Sequence, residues 1–131
     1  MQQSEKRWPA RPEHVRAARH AVWEAAARAG AQEQVRHAAR LAVSEAVSNV
    51  VVHSYRDESG EGHFTLRVEW DGGELKVIVR DEGCGMAPRM DSPGAGLGLP
   101  LIATLAESFS VTAPPGGGTE VCMTFPLLKA A

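Results

Sequence analysis

Apolar residues return at three- and four-residue steps through the first part of the chain and at every second position through much of the rest. Val15, Ala18, Val22, Ala25, Ala26 and Ala29 form one helical stripe, which predicts an amphipathic helix over residues 12–29. Pro12 and Glu13 suit its first turn, and Gly30 suits its stop. Val35, Ala38, Ala39, Ala42, Ala46 and Val50 predict a second helix over about 32–53, which gives way to the polar run YRDESGEG. Phe64, Leu66, Val68 and Trp70 then alternate with polar residues. Asp71, Gly72 and Gly73 signal a tight turn, and Leu75, Val77 and Val79 resume the alternation, so a β-hairpin is expected.

A glycine-rich stretch, DEGCGMAPRMDSPGAGLGLPLI, begins at Asp81. A third, shorter helix is expected over about 99–108. Phe109, Val111 and Ala113 start a strand, PPGGG turns the chain, and Val121, Met123 and Phe125 mark a last strand. Residues 1–11 are polar and contain Pro9; they read as a disordered lead-in or a short edge strand. This order predicts an α+β fold: a two-layer sandwich of a mixed, mostly antiparallel sheet with helices on one face. The main domain is expected over 12–128.

Composition narrows the class. The chain has 131 residues, of which 44% are hydrophobic, enough for one domain with a real core. The net charge of -2 gives no global pull towards nucleic acid or an anionic membrane. Cys84 and Cys122 form no CxxC pattern, which argues against a disulfide framework or structural zinc and fits a reducing cytoplasm. No apolar run suits a signal peptide or a bilayer span, so a soluble cytoplasmic protein without direct nucleic-acid or membrane partners is expected. Trp8, Trp23 and Trp70 show no base-stacking spacing and read as core or interface residues.

Three stretches carry candidate chemistry. Asp81 shares the parity of Leu75, Val77 and Val79, so a carboxylate ends a row of core-facing side chains. Buried, it needs donors, and a ligand amino group would supply them; alternatively it caps a DEG turn. Glu45, Asn49 and His53 recur at four-residue steps on one helix face beside Ala46, Val47, Val50 and Val51. A partly shielded Glu suits a general base, and an Asn oxygen suits a hard cation; a solvated polar stripe is the competing reading. GAGLGL opens a predicted helix, where backbone N–H groups attract phosphate; it also reads as a flexible connection.

The combination ExxxNxxxH, DxGxG, GxGLGL and then Gly118-Thr119 before the last strand resembles the GHKL ATPase superfamily of gyrase, Hsp90, histidine kinases and MutL. Within it, NVVVHSY, DEGCGM and GAGLGLPLI are most similar to the anti-sigma factor serine/threonine-protein kinases. The resemblance implies a histidine kinase-like ATPase domain, the Bergerat fold, that binds ATP and Mg²⁺. It implies that Asp81 accepts the adenine amino group with Thr119 nearby, while Gly83 and Gly85 let the backbone pass the ring. It implies Asn49 as the Mg²⁺ ligand and Gly94, Gly96, Leu97 and Gly98 as backbone donors to phosphate. Glu45 would be the base for a seryl hydroxyl, and Arg19 a partner contact. The implied partners are a sigma factor and an anti-anti-sigma protein, and a homodimer is compatible with the reading. Only residues 87–93 separate the two glycine boxes, with Arg89 their one basic residue, so the expected lid is short. Two alternatives stay open: a non-catalytic nucleotide-binding partner switch, and the catalytic module of a sensor histidine kinase.

Overall fold

The computed structural model describes residues 1–56, 62–82, 98–113 and 118–127. The elements are β1 (Gln2–Pro9), a 3-10 turn (Pro12–His14), α1 (Val15–Arg28), α2 (Glu33–Arg56), β2 (His63–Trp70), β3 (Glu74–Glu82), α3 (Gly98–Leu105), β4 (Ser108–Thr112) and β5 (Thr119–Pro126). The strands form one five-stranded sheet in the order β1-β2-β3-β5-β4. Every described neighbour pair is antiparallel, so no parallel pairing joins the expected antiparallel ones.

Strand parity decides the two faces. Phe64, Leu66 and Val68 on β2, Leu75, Val77 and Val79 on β3, and Val121, Met123 and Phe125 on β5 are all buried on the side where the helices pack. The helices answer with small side chains. Ala18, Val22, Ala25 and Ala26 on α1 meet Ala39, Ala42, Val43, Ala46 and Val47 on α2, and alanine lets the two backbones approach closely. The other sheet face is charged. Ile78 is nevertheless buried there, among Thr65, Arg67, Arg80, Glu82 and Glu120, whose stems cover it.

Local chemistry fixes the ends. Gly30 has φ +80° and closes α1: its N–H donates to the Ala27 carbonyl and the Ala31 N–H to the Ala26 carbonyl, each at 3.0 Å. That is the Schellman arrangement, which needs a left-handed residue at this position. Asp71 turns the β2–β3 hairpin by accepting from the N–H groups of Gly73 at 2.8 Å and Glu74 at 3.0 Å. These two bonds, Gly73 first, hold its carboxyl below the usual aspartate range.

Of the two readings of the N-terminus, residues 2–9 take the edge strand, paired along β2, although Ser4 and Lys6, opposite Val68 and Leu66, are polar. One outcome differs from the pattern-based expectation. The third helix stops at Leu105, short of Ser108. The Ala106 N–H closes its last turn on Ile102, and the Glu107 N–H already donates to Thr124 in the sheet at 2.8 Å. Ladder bonds with β5 outcompete another helical turn there.

Candidate functional site

Among the described residues three polar side chains are buried: Asp81 at 1% exposure, Thr119 at 4% and Asn49 at 8%. They come from three elements. Asp81 ends the inward row of β3, and Thr119 opens β5 directly opposite it in the ladder. Asn49 lies in the C-terminal half of α2, whose end is joined to β2 through residues 57–62. His63, at the start of β2, pairs with Glu82, so this connection arrives at Asp81's end of the sheet.

α3 ends away from this corner. Its C-terminus leads into Glu107, which bonds Thr124, and Thr124 pairs with Lys76 near the far end of β3. The last turn of α3, Thr104 and Leu105, lies beside the start of α2 and Phe125 and Pro126 of β5, at the end of the sheet away from Asp81, and an eight-residue helix sets its N-terminus at Gly98 about 12 Å from that turn. The orphan N–H groups of a helix start favour anions. One end of the sheet thus pairs a buried carboxylate with a hydroxyl, and the chain returns to that end from α2, the helix that carries the buried Asn49 amide.

Gly118 holds this corner together. Its φ is +84°, and a Cβ placed on it would come within 2.1 Å of the Asp81 carbonyl oxygen. Any side chain would collide with the backbone that carries the buried acid. The pairing Gly118-Thr119 is therefore a geometric unit: glycine allows the approach and threonine supplies the hydroxyl.

Next to Asp81, Glu82 faces the opposite side of the sheet. Its Oε2 accepts from Thr65 Oγ1 at 2.7 Å and from Arg7 Nε at 2.8 Å. The Thr65 hydroxyl above all holds the Glu82 carboxyl below the ordinary glutamate range; burial opposes it, and the Arg7 guanidinium adds to the lowering. The strand end that carries Asp81 is thereby tied to β2 and β1. Sequence reasoning missed this pin, because nothing local links residue 7 to residue 82.

The remaining expected residues fall as follows. Glu45 is part-buried one turn before Asn49 on the same side of α2, and Gly98 begins α3. Gly83, Gly85, Gly94, Gly96 and Leu97 lie outside the described residues, as do Cys84, Arg89 and the segment expected to form the lid. The side chain of His53 lies outside them too. Arg19 is exposed on α1 and lines a depression with Arg40, away from Asn49. Cys122 sits part-buried on the charged sheet face, where burial pushes its thiol up and out of reactive range.

The donor set suits a purine nucleotide. A buried carboxylate can accept from an exocyclic amino group, and the threonine hydroxyl can serve a ring nitrogen. No group of three His, Cys, Asp or Glu side chains that could cage a metal occurs among the described residues. A hard cation would fit only as one shared between the Asn49 oxygen and ligand phosphates. No described helix is long and apolar enough to cross a membrane.

Comparison with known proteins agrees with this geometry. The histidine kinase-like ATPase domain model matches residues 8–125. An anti-sigma F factor of Thermoanaerobacter sp. (strain X514) is 34% identical over 96 residues, covering 65% of this chain and 66% of that protein. The match thus spans about two thirds of the relative's length. Serine-protein kinase RsbW of Staphylococcus epidermidis is 31% identical over 122 residues, covering 82% of this chain and 77% of that protein. Among solved structures, the RsbU and RsbW domains of a Mycobacterium tuberculosis protein superpose with a TM-score of 0.76 at 23% identity, covering 100% of this chain and 34% of that one. A buried Asp-Thr pair on an antiparallel sheet and a family match along nearly the whole chain lead to one assignment: the chain belongs to the histidine kinase-like ATPase domain family, on the branch of the anti-sigma factor serine-protein kinases.

Proposed function

We propose that this protein binds ATP at the Asp81–Thr119–Asn49 corner and transfers its γ-phosphoryl group to a serine of an anti-anti-sigma protein, and that it also sequesters a sigma factor. The observation that carries the reading is that Asp81 and Thr119, two of the three buried polar residues described, face each other at the end of the β3–β5 ladder. A carboxylate has several lone-pair sites, so one held at the inner end of β3 opposite a threonine hydroxyl can accept from a ligand amino group as well as from the protein.

Asp81 accepts from the adenine amino group, and Thr119 stands beside it on the neighbouring strand. Asn49 holds Mg²⁺ through its amide oxygen. The chemistry supplied by bound Mg²⁺ is neutralisation of phosphate charge, on which phosphoryl transfer depends. The N-terminus of α3 offers backbone N–H groups to phosphate oxygens. Gly94, Gly96, Leu97 and Gly98 contribute backbone to that end, and Gly83 and Gly85 let the chain pass the purine. Glu45, one helical turn from Asn49, takes the proton of the attacking hydroxyl. Arg19 on α1 is a contact for a protein partner.

Calorimetric titration with ATP and Mg²⁺, followed by transfer of labelled phosphate to purified anti-anti-sigma proteins, tests the reading. Saturable heat and phosphoserine on the partner are expected. Glu45→Ala should keep nucleotide affinity and lose at least about 100-fold in transfer rate. Transfer at an unchanged rate would remove Glu45 from the role of base. Absence of any nucleotide binding by the wild type would end the proposal.

A further inference from the structure

A second concentration of chemistry lies on the outer side of α1 and α2. Arg36 and Arg40, one turn apart on α2, place their guanidinium carbons 4.0 Å and 4.5 Å from the ring centroid of Trp23 on α1. His37 meets the same indole edge-on at 4.9 Å. Arg40 also donates to His37 Nδ1 at 3.0 Å, which makes that nitrogen an acceptor. Beside the indole is a depression of about 590 Å³ lined by Arg16, Arg19, His20, Trp23, Glu24 and Arg40.

The charge here is unbalanced. Among the described residues no carboxylate pairs with Arg16, Arg19, Arg36 or Arg40. The two acids nearby are turned to histidines, Glu24 to His20 at 3.8 Å and Glu33 to His37 at 3.5 Å. The whole chain has a net charge of -2, so this is a local excess. Arg36 Nε is buried with no hydrogen-bond partner among the described residues.

Contact with the indole holds the two guanidinium groups in place before any ligand arrives. Much of the side-chain ordering cost of binding is then already met, and the in-plane N–H edges suit bidentate carboxylate recognition. Nucleic acid is a poorer fit. Guanidinium groups occupy the indole face that a base would need.

We propose that the Trp23 patch docks an Asp/Glu-rich segment of a protein partner, gripped by Arg36 and Arg40 on the indole and by Arg16 across the depression. The patch is independent of the nucleotide corner. Arg40 precedes Asn49 by nine residues, which sets the two about 180° apart around α2 and roughly 13 Å apart along it. The inference needs neither the kinase reading nor a role for Arg19.

The test titrates the ¹⁵N-labelled full chain with a synthetic peptide of alternating Glu and Ala. A Gln-Ala peptide, a single-stranded oligonucleotide and inorganic phosphate serve as comparisons. The Glu peptide is expected to shift the Trp23 indole N–H and the Arg36 and Arg40 Nε–H resonances saturably. The double variant Arg36→Glu, Arg40→Glu should weaken it by at least about tenfold. Arg80→Glu, on the distant charged sheet face, should not, and Arg36→Lys with Arg40→Lys should fall between. An unaltered thermal unfolding curve confirms that each variant is folded. The proposal is overturned if the Trp23 resonance does not move, if the Gln peptide binds equally, if Arg80→Glu weakens binding as much, or if the oligonucleotide or phosphate binds more tightly than the peptide.

Discussion

Asp81 and Gly118 act as one residue pair although 37 positions separate them. The acid is buried by parity, and the glycine permits its backbone to sit against strand β5. Asp81→Asn keeps the shape but replaces one acceptor oxygen with a donor nitrogen. Calorimetry should find ATP affinity lowered by about 10- to 100-fold, with the fold intact. Gly118→Ala should act on the fold itself, through its positive φ and the collision with the Asp81 carbonyl. A loss of about 2 kcal/mol in urea unfolding is expected, together with weakened nucleotide binding. The burial of Asp81 was legible because period-two alternation carries it into the core row. The strain at Gly118 was not, because φ depends on a strand partner that the neighbouring letters do not reveal.

Single elements show what pattern does and does not encode. The small-residue stripes of α1 and α2 were readable because each helix buries one face. The edge strand β1 was ambiguous because its inward positions include Ser4 and Lys6, and a strand paired on one side only need not alternate in polarity. α3 ends early because Glu107 finds a carbonyl on β5, a competition set by tertiary structure. Gly30→Ala should cost α1 its Schellman closure and about 1 kcal/mol, seen as a lower thermal midpoint. The β1–β3 pin makes a pH prediction. Glu82 titrates below its unfolded counterpart, so its stabilisation is complete above the ordinary glutamate range and is lost as pH falls through the lowered value. Wild type and Glu82→Gln should therefore differ in urea midpoint near neutrality and converge in acid. A difference that persists in acid would remove Glu82 charge from the account.

At the scale of the molecule, the nucleotide corner and the Trp23 patch occupy opposite sides of one helix. Distant sites with no shared partner usually add in free energy. Combining Asp81→Asn with the Arg36→Glu, Arg40→Glu pair should give an unfolding free energy equal to the sum of the separate effects within about 0.5 kcal/mol. The α+β class followed from element order alone. The insertion of β5 between β3 and β4 did not, since strand order depends on pairings far apart in sequence.

That insertion has a temporal meaning. The pair that ends the β3–β5 ladder joins Asp81 to Thr119, 38 positions further along the chain. A nascent polypeptide halted before residue 119 carries the acid but lacks the strand that shelters it. On the proposed assignment, nucleotide capture is reserved for molecules whose synthesis has passed β5, and ATP becomes a late stabiliser of the finished fold.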